Sequence, residues 1–314
     1  MRAQSRRTAS GCAWQRERGT AHSRLRALLL HAVRDSRRPR GCVRRLSRTG
    51  VLLSPARKAK AGGATAAAPW WATQFDAQYL HEYEPLFDLV QDRHEVARLI
   101  DVLALPSGAR VLDCPCGQGR HAHLLAEAGF DVDGLDYSED LLEVARRRGT
   151  GKQLRYTQGD MRRLPARWSG RFDAVVNLFT SFGFFDDPND DLTVLEEFAR
   201  VLKPGGMLVW HGGARDGVMA KFLSRDWWSS ADGTVFGQER RFDPLSGFLD
   251  ITSTWRGPKG HGERSHRIRL YTASELAHRL RDVGLVVEAA YDAWSAKPLT
   301  RRSSEMMLVA RKDH

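Results

Sequence analysis

The chain has 314 residues, 42% of them hydrophobic and 28% charged, enough for one or two domains with a large core. Its net charge of +11 is concentrated at one end: residues 1–60 hold 17 Lys+Arg against 2 Asp+Glu, a surplus of +15, so the remainder carries −4. A body of that sign is a poor phosphate-tracking surface, which argues against a nucleic-acid partner, and no apolar run is long enough for a membrane-spanning helix.

Residues 1–60 are rich in Arg and Ser, poor in acids and without sustained periodicity. Leu28-Leu29-Leu30 is too short for a signal-peptide core, and Arg24, Arg26 and Arg34 crowd it. A disordered basic tail, a transit-like segment and sequence translated upstream of the natural start all fit. Disorder is the expectation, in a cytoplasmic protein, with organelle targeting left open by the basic extension. The run Ala61-Gly62-Gly63-Ala64-Thr65-Ala66-Ala67-Ala68-Pro69 reads as a linker. Residues 1–69 are therefore set apart from a folded domain over 70–314.

Residues 71–104 predict helix in two pieces. Phe75, Tyr79, Tyr83 and Leu86 recur at helical intervals, as do Val96, Ile100 and Leu103. Strands are then expected over 110–114, 131–136, 153–158, 172–179 and 206–211, with helices over 119–129, 138–148 and 190–203. Gly129 sits where a helix stop belongs. Ser138 ahead of Glu139 and Asp140 suits an N-cap and an acidic first turn. Lys203-Pro204-Gly205-Gly206 ends a helix whose apolar face is Leu192, Leu195, Phe198 and Leu202.

Residues 221–270 break the alternation. Phe242-Asp243-Pro244-Leu245-Ser246-Gly247 and Gly257-Pro258-Lys259-Gly260 are turn signals, and Leu249, Ile251, Ser253 and Trp255 occupy every second position between them. A small antiparallel insertion of about three strands is expected there. Thr272 and Glu275 form a capping box for a helix over 273–283. Strands over 286–291 and 305–311 follow, joined by a loop long enough for an antiparallel hairpin. Strands alternating with helices imply an α/β domain whose parallel sheet is covered on both faces.

Of the four cysteines, Cys12, Cys42, Cys114 and Cys116, none has the spacing of a metal site or a disulfide framework. Cys114 and Cys116 are expected to be small buried thiols, and no metal is expected.

The chemistry concentrates in Asp113-Cys114-Pro115-Cys116-Gly117-Gln118-Gly119, entered from Arg110-Val111-Leu112. This reads as a buried strand, an acid at its tip, a glycine turn and a helix start. Such a layout lets a nucleotide-like ligand lie against bare main chain. The next strand, Val132-Asp133-Gly134-Leu135, ends in a second acid, Asp136. Gly117 to Ala122 also fits GxGxxA, so a nicotinamide-binding oxidoreductase must be weighed. A carboxylate at Asp113 speaks against a pyrophosphate, which needs that anion-attracting end, and suits a cationic ligand part.

These residues resemble the nucleotide loop of class I S-adenosylmethionine-dependent methyltransferases, and Thr180-Ser181-Phe182-Gly183-Phe184-Phe185 resembles a segment of a bacterial subset acting on small molecules. Gly159-Asp160-Met161, Asn177-Leu178-Phe179 and Leu202-Lys203-Pro204-Gly205-Gly206 follow in the family's order. Pro115 departs from the pattern, standing where the family's first glycine sits. The resemblance spans roughly 70–312 and implies a Rossmann-like parallel sheet with an antiparallel last strand, plus the small β insertion. It implies S-adenosylmethionine as cofactor. Asp113 would lie near the methionine end, and Cys116, Gly117 and Gly119 would let the cofactor pass the backbone. Asp136 would accept from both ribose hydroxyls, Tyr137 would flank the adenine, and Asp160 would accept from its amino group with Met161 packing nearby. Asn177 and Leu178 would line the methyl exit.

The implied reaction is methyl transfer to an N, O or C atom of a small molecule. The acceptor would lie among Tyr79, Tyr83, Phe182, Arg269 and Tyr271. His211, at the end of the fifth strand, is the one candidate base; Gly-Asp pairs, helix caps and core aromatics are ordinary structural features too. An RNA or protein methyltransferase, suggested by the basic extension, and a silent cofactor-binding scaffold stay open. The sequence does not speak to oligomeric state.

Overall fold

The computed structural model describes residues 70–83 and 87–313. Residues 1–69 and Leu86 lie outside this range, so the expectations placed on them do too.

Three helices open the described chain: α1 (Trp71–Gln74), α2 (Ala77–Tyr83) and α3 (Leu89–Leu103). Two pieces were expected. The break at Phe75 comes from Asp76, whose Oδ1 accepts from Tyr79 N (2.8 Å) and starts a fresh helix. The alternating portion runs β1 (Arg110–Asp113), α4 (Arg120–Glu127), β2 (Asp131–Asp136), α5 (Glu139–Arg148), β3 (Leu154–Gln158), β4 (Phe172–Asn177), α6 (Pro188–Val201) and β5 (Leu202–Gly213). After α7 (Arg215–Ala220) come β6 (Arg225–Ser229), β7 (Val235–Phe242), β8 (Phe248–Gly257) and β9 (Gly260–Arg269). The chain closes with α8 (Ala273–Asp282), β10 (Leu285–Asp292) and β11 (Glu305–Lys312).

The main sheet has seven strands in the order β10-β11-β5-β4-β1-β2-β3. β1 to β5 are parallel, while β11 runs antiparallel to both β5 and β10. The central strands are apolar on both faces: Val111, Leu112, Ala174, Val175 and Val176 are fully buried. Helices cover both sides, as a parallel sheet requires. Chain order reverses between β1 and β4, and a crevice opens beyond their carboxyl ends at that switch point.

Local chemistry sets the boundaries. Ser138 Oγ accepts from Leu141 N (3.2 Å) and caps α5. α6 starts earlier than the apolar pattern suggests, because Asp187 caps it and Pro188 fills its first position. Lys203-Pro204-Gly205-Gly206 belongs to the start of β5 rather than to a helix end, α6 having stopped at Val201. The capping box at Thr272 and Glu275 is present.

The insertion is a four-stranded meander, β6-β7-β8-β9, one strand more than expected. The extra strand is β6, whose Arg225-Asp226-Trp227-Trp228-Ser229 has only Trp228 buried and so shows no clear alternation. Trp228 Nε1 donates to Glu82 O (3.3 Å), Arg264 donates to Gln74 O (3.1 Å) and pairs with Glu82, and Arg269 N donates to Gly183 O (2.7 Å). These contacts seat the small sheet on α2 and on the loop after β4, forming a roof over the crevice.

Candidate active site

Beyond β1, β2 and β4 lies a cavity of about 970 Å³, partly continuous with solvent. Asp136, at the tip of β2, lines it. Its Oδ2 accepts from Gly117 N (2.7 Å) and its Oδ1 from Ser138 N (2.9 Å). Each oxygen keeps acceptor capacity for a ligand hydroxyl. Burial pushes this carboxyl up to about 6, against the opposing pull of those N–H groups. Asp113, at the tip of β1, also lines the cavity and is 2% exposed. Burial pushes it up to about 8, with Arg120 pulling down and Asp136 pushing up. Its Oδ2 is buried without a hydrogen-bond partner, so the wall of this cavity carries a polar atom that a donor on a ligand would satisfy.

The turn between the two acids is open on the cavity side. Gly117 has φ +53°, and a Cβ there would meet only Leu141 Cδ1 at 4.0 Å. Its bare backbone therefore faces the space. Gly119 (φ +73°) serves another purpose. A Cβ there would fall 2.4 Å from Tyr156 Oη and 2.8 Å from Ala145 Cβ, and Gly119 is not among the cavity-lining residues. Its missing side chain lets α4 and α5 close on β3. The bend at Pro115 is made with a cis Cys114–Pro115 peptide.

Cys116, Tyr137, Asp160, Met161 and Leu178 complete the expected wall. Cys114 and Cys116 are buried free thiols, both pushed well up by burial. Tyr137, 43% exposed, meets Trp71 edge-on at 4.8 Å. Asp160 is gripped by Arg162 (2.7 Å), whose guanidinium also lies 5.0 Å from the Trp71 ring. Asn177 stands behind the wall. Its Nδ2 donates to Cys114 O (2.8 Å) and ties β4 to the turn.

A second cavity of about 960 Å³ adjoins the first under the inserted sheet. Phe75, Tyr79, Phe179, Ser181 and Phe184 border both. Tyr83 lines the second, and burial pushes its hydroxyl up, as it pushes Tyr79 to about 12. Three expected acceptor residues are not on either wall. Phe182 is 1% exposed and packs between Trp210 and Tyr271 in the main core. Tyr271 is buried, its hydroxyl donating to Asp191 (2.5 Å). Arg269 lays its guanidinium over Phe248, 4.6 Å from the ring centre. The segment after the fourth strand and the end of the insertion do border the crevice, but these three side chains are taken up by core packing, Asp191 and Phe248 instead. His211 is likewise buried behind the wall: Phe179 N donates to its Nδ1 (3.2 Å), the Trp294 ring lies tilted against it at 4.6 Å, and it lines neither cavity.

One group escaped the sequence reading. Arg120 is buried at the first position of α4 and lines the first cavity. It pairs with Asp92 and with Glu95 (3.2 Å) of α3, while His121 is buried and bonded to Glu95 (2.8 Å). The Asp92, Glu95 and His121 ligand atoms lie within 4.8 Å of one another. Arg120 already bridges the two carboxylates, so the cluster acts as a latch between α3 and α4. A cation in a helix's first turn opposes the helix dipole. That mismatch was the available signal that carboxylates must lie nearby.

Residues 111–206 match the family described as a methyltransferase domain. A dTDP-3-amino-3,6-dideoxy-alpha-D-glucopyranose N,N-dimethyltransferase of Streptomyces fradiae is 32% identical, over 68% of this chain and 87% of that protein. The corresponding 3,4,6-trideoxy enzyme of Streptomyces venezuelae is 36% identical, over 67% and 84%. The chain belongs to the class I S-adenosylmethionine-dependent methyltransferases. The methyltransferase CcbJ of Streptomyces caelestis has the same fold, with TM-score 0.66 and 20% identity over 78% of this chain and 99% of that one. This methyltransferase uses S-adenosylmethionine, and the oxidoreductase alternative is not favoured. Among its described helices none is long and apolar enough to cross a membrane.

Proposed function

We propose that the cavity beside Asp136 holds S-adenosylmethionine and that the cavity under the inserted sheet holds the acceptor. The observation that carries this is the pair of strand-tip carboxylates, Asp113 and Asp136, flanking the bare backbone of Gly117 on one wall. Asp136 has the acceptor capacity for two ribose hydroxyls. Asp113, its Oδ2 unpartnered, suits the ammonium end, with Arg120 beside it for the carboxylate. Tyr137 and Met161 suit the adenine faces and Asp160 its amino edge, although Arg162 already occupies part of that carboxylate. Leu178 suits the methyl exit.

The bound donor supplies a methyl group already activated on a sulfonium. The protein's part is then alignment and water exclusion, and well-oriented reactants recover roughly 7–11 kcal/mol of a barrier. Phe75, Tyr79, Phe179 and Phe184, on both walls, hold the two cavities at a fixed separation and keep the passage apolar. A strong base is needed only if the acceptor must lose a proton, which fits His211 lying off the wall. The relatives named above methylate amino groups of dTDP-linked sugars; this reading takes a small molecule presenting N, O or C. It keeps a cytoplasmic setting and no nucleic-acid partner, the latter supported by the −4 charge after residue 60.

Calorimetry with S-adenosylhomocysteine tests the assignment. Asp136→Ala removes two charge-assisted bonds of about 1.5–3 kcal/mol each, so affinity should fall by about 10²- to 10⁴-fold. A loss below about threefold in folded protein would refute the role of Asp136.

A further inference from the structure

The cavity under the inserted sheet has a lopsided lining. Six aromatic residues line it, Trp70, Phe75, Tyr79, Tyr83, Phe179 and Phe184, and Leu249, Ile251 and Ile268 of β8 and β9 close the roof. No Lys or Arg is among its described lining residues, and Glu305 is their only carboxylate. His266 adds no positive charge at neutral pH, since burial pushes it down to about 4, with Arg264 and Arg240 adding to the effect.

Glu305 opens β11 and is held beside the core by register, opposite Gly213 of β5. Its Oε2 lies 3.5 Å from Nε2 of His211, too far for a strong hydrogen bond. Phe179 N already donates to the His211 Nδ1. A neutral ring therefore carries its proton on Nε2, the nitrogen turned towards the carboxylate. Glu305 lines the cavity, and its side chain is 29% exposed.

A chamber lined by aromatic residues and one carboxylate, with no Lys or Arg among its described lining residues, favours a cation over a phosphate. We propose that the acceptor carries a protonated amine, that Glu305 anchors it, and that any phosphate on the acceptor stays outside this chamber. His211 is a positioning residue that directs the Glu305 carboxylate. The anchoring amine and the methylated atom need not be the same. This inference rests on the acceptor reading of the second cavity.

The probes are cyclohexylamine, cyclohexanol and cyclohexyl phosphate, titrated by tryptophan fluorescence and ring-proton NMR into protein saturated with S-adenosylhomocysteine. Cyclohexylamine should bind at least about tenfold tighter than cyclohexanol, as one charge-assisted bond requires. Its binding should shift the His211 ring signals. Glu305→Gln should bring the two ligands to within about twofold of each other, while Glu305→Asp, which keeps the charge, retains the preference. Thermal melting of each variant checks folding. Equal binding of amine and alcohol to the wild type, a preference that survives in Glu305→Gln, phosphate binding as tight as amine, or no binding of any probe overturns the proposal. Failure of S-adenosylhomocysteine itself to bind would instead refute the cofactor assignment.

Discussion

Gly117 and Gly119 sit two residues apart in one turn, both with positive φ, yet alanine should harm them differently. At Gly119 the added methyl carbon would stand 2.4 Å from Tyr156 Oη and 2.8 Å from Ala145 Cβ. Left-handed backbone costs alanine about 1–2 kcal/mol, and forcing a methyl into packed side chains costs about 1–3 kcal/mol more. Gly119→Ala should therefore lose about 2–5 kcal/mol of stability, a fall in Tm of about 4–20 °C for a domain of this size. Changing Tyr156 to Phe removes the nearest atom and should return part of that loss. Gly117→Ala pays the backbone cost alone, because its methyl enters the cavity with only Leu141 at 4.0 Å. Its Tm should fall by about 2–8 °C, but its affinity for S-adenosylhomocysteine should drop sharply. Scanning calorimetry gives one number and titration the other. If Gly119→Ala kept its Tm, or Gly117→Ala bound the product as tightly as wild type, the division of labour in this turn would be wrong.

Two further outcomes follow from the same geometry. Asp113 has its folded pKa raised to about 8, above the unfolded carboxyl value; its contribution to stability is thus fully present below about pH 4 and lost as pH rises towards 8. Asp113→Asn should accordingly raise the Tm of the ligand-free protein at pH 8 and match wild type at pH 4. The reverse trend in paired melts would count against the burial argument. Ser138 caps α5 and also donates to Phe75 O (2.6 Å), so Ser138→Ala should cost about 1–3 kcal/mol in urea unfolding.

Much of the alternating portion could be read directly, because its strands are short apolar runs ended by acids or glycines. The turn from Asp113 to Gly119 and the tip of β2 were legible because their chemistry is local. What stayed hidden depends on partners far along the chain. Arg120 meets Asp92 and Glu95 more than twenty residues upstream and leaves no periodic mark. Phe182 and Tyr271 are aromatic residues beside the crevice in sequence, yet their backbone turns them inward, and composition alone does not tell a wall from a core. Glu305 was overlooked because a charged first residue of an edge-side strand is ordinary; only the register with β5 brings it to the chamber. β6 escaped because one buried residue in five gives no alternation to detect.

The roof over the crevice is fastened to two stretches that are distant in sequence. Trp228 and Arg264 hold α2 through Glu82, and Arg269 holds the segment after β4 through Gly183. Anyone hoping to exchange acceptor preference between relatives by grafting residues 225–269 alone would cut all of these ties. The transplantable cassette has three parts: the amino-terminal helices, the stretch around Gly183 and the small sheet, moved together.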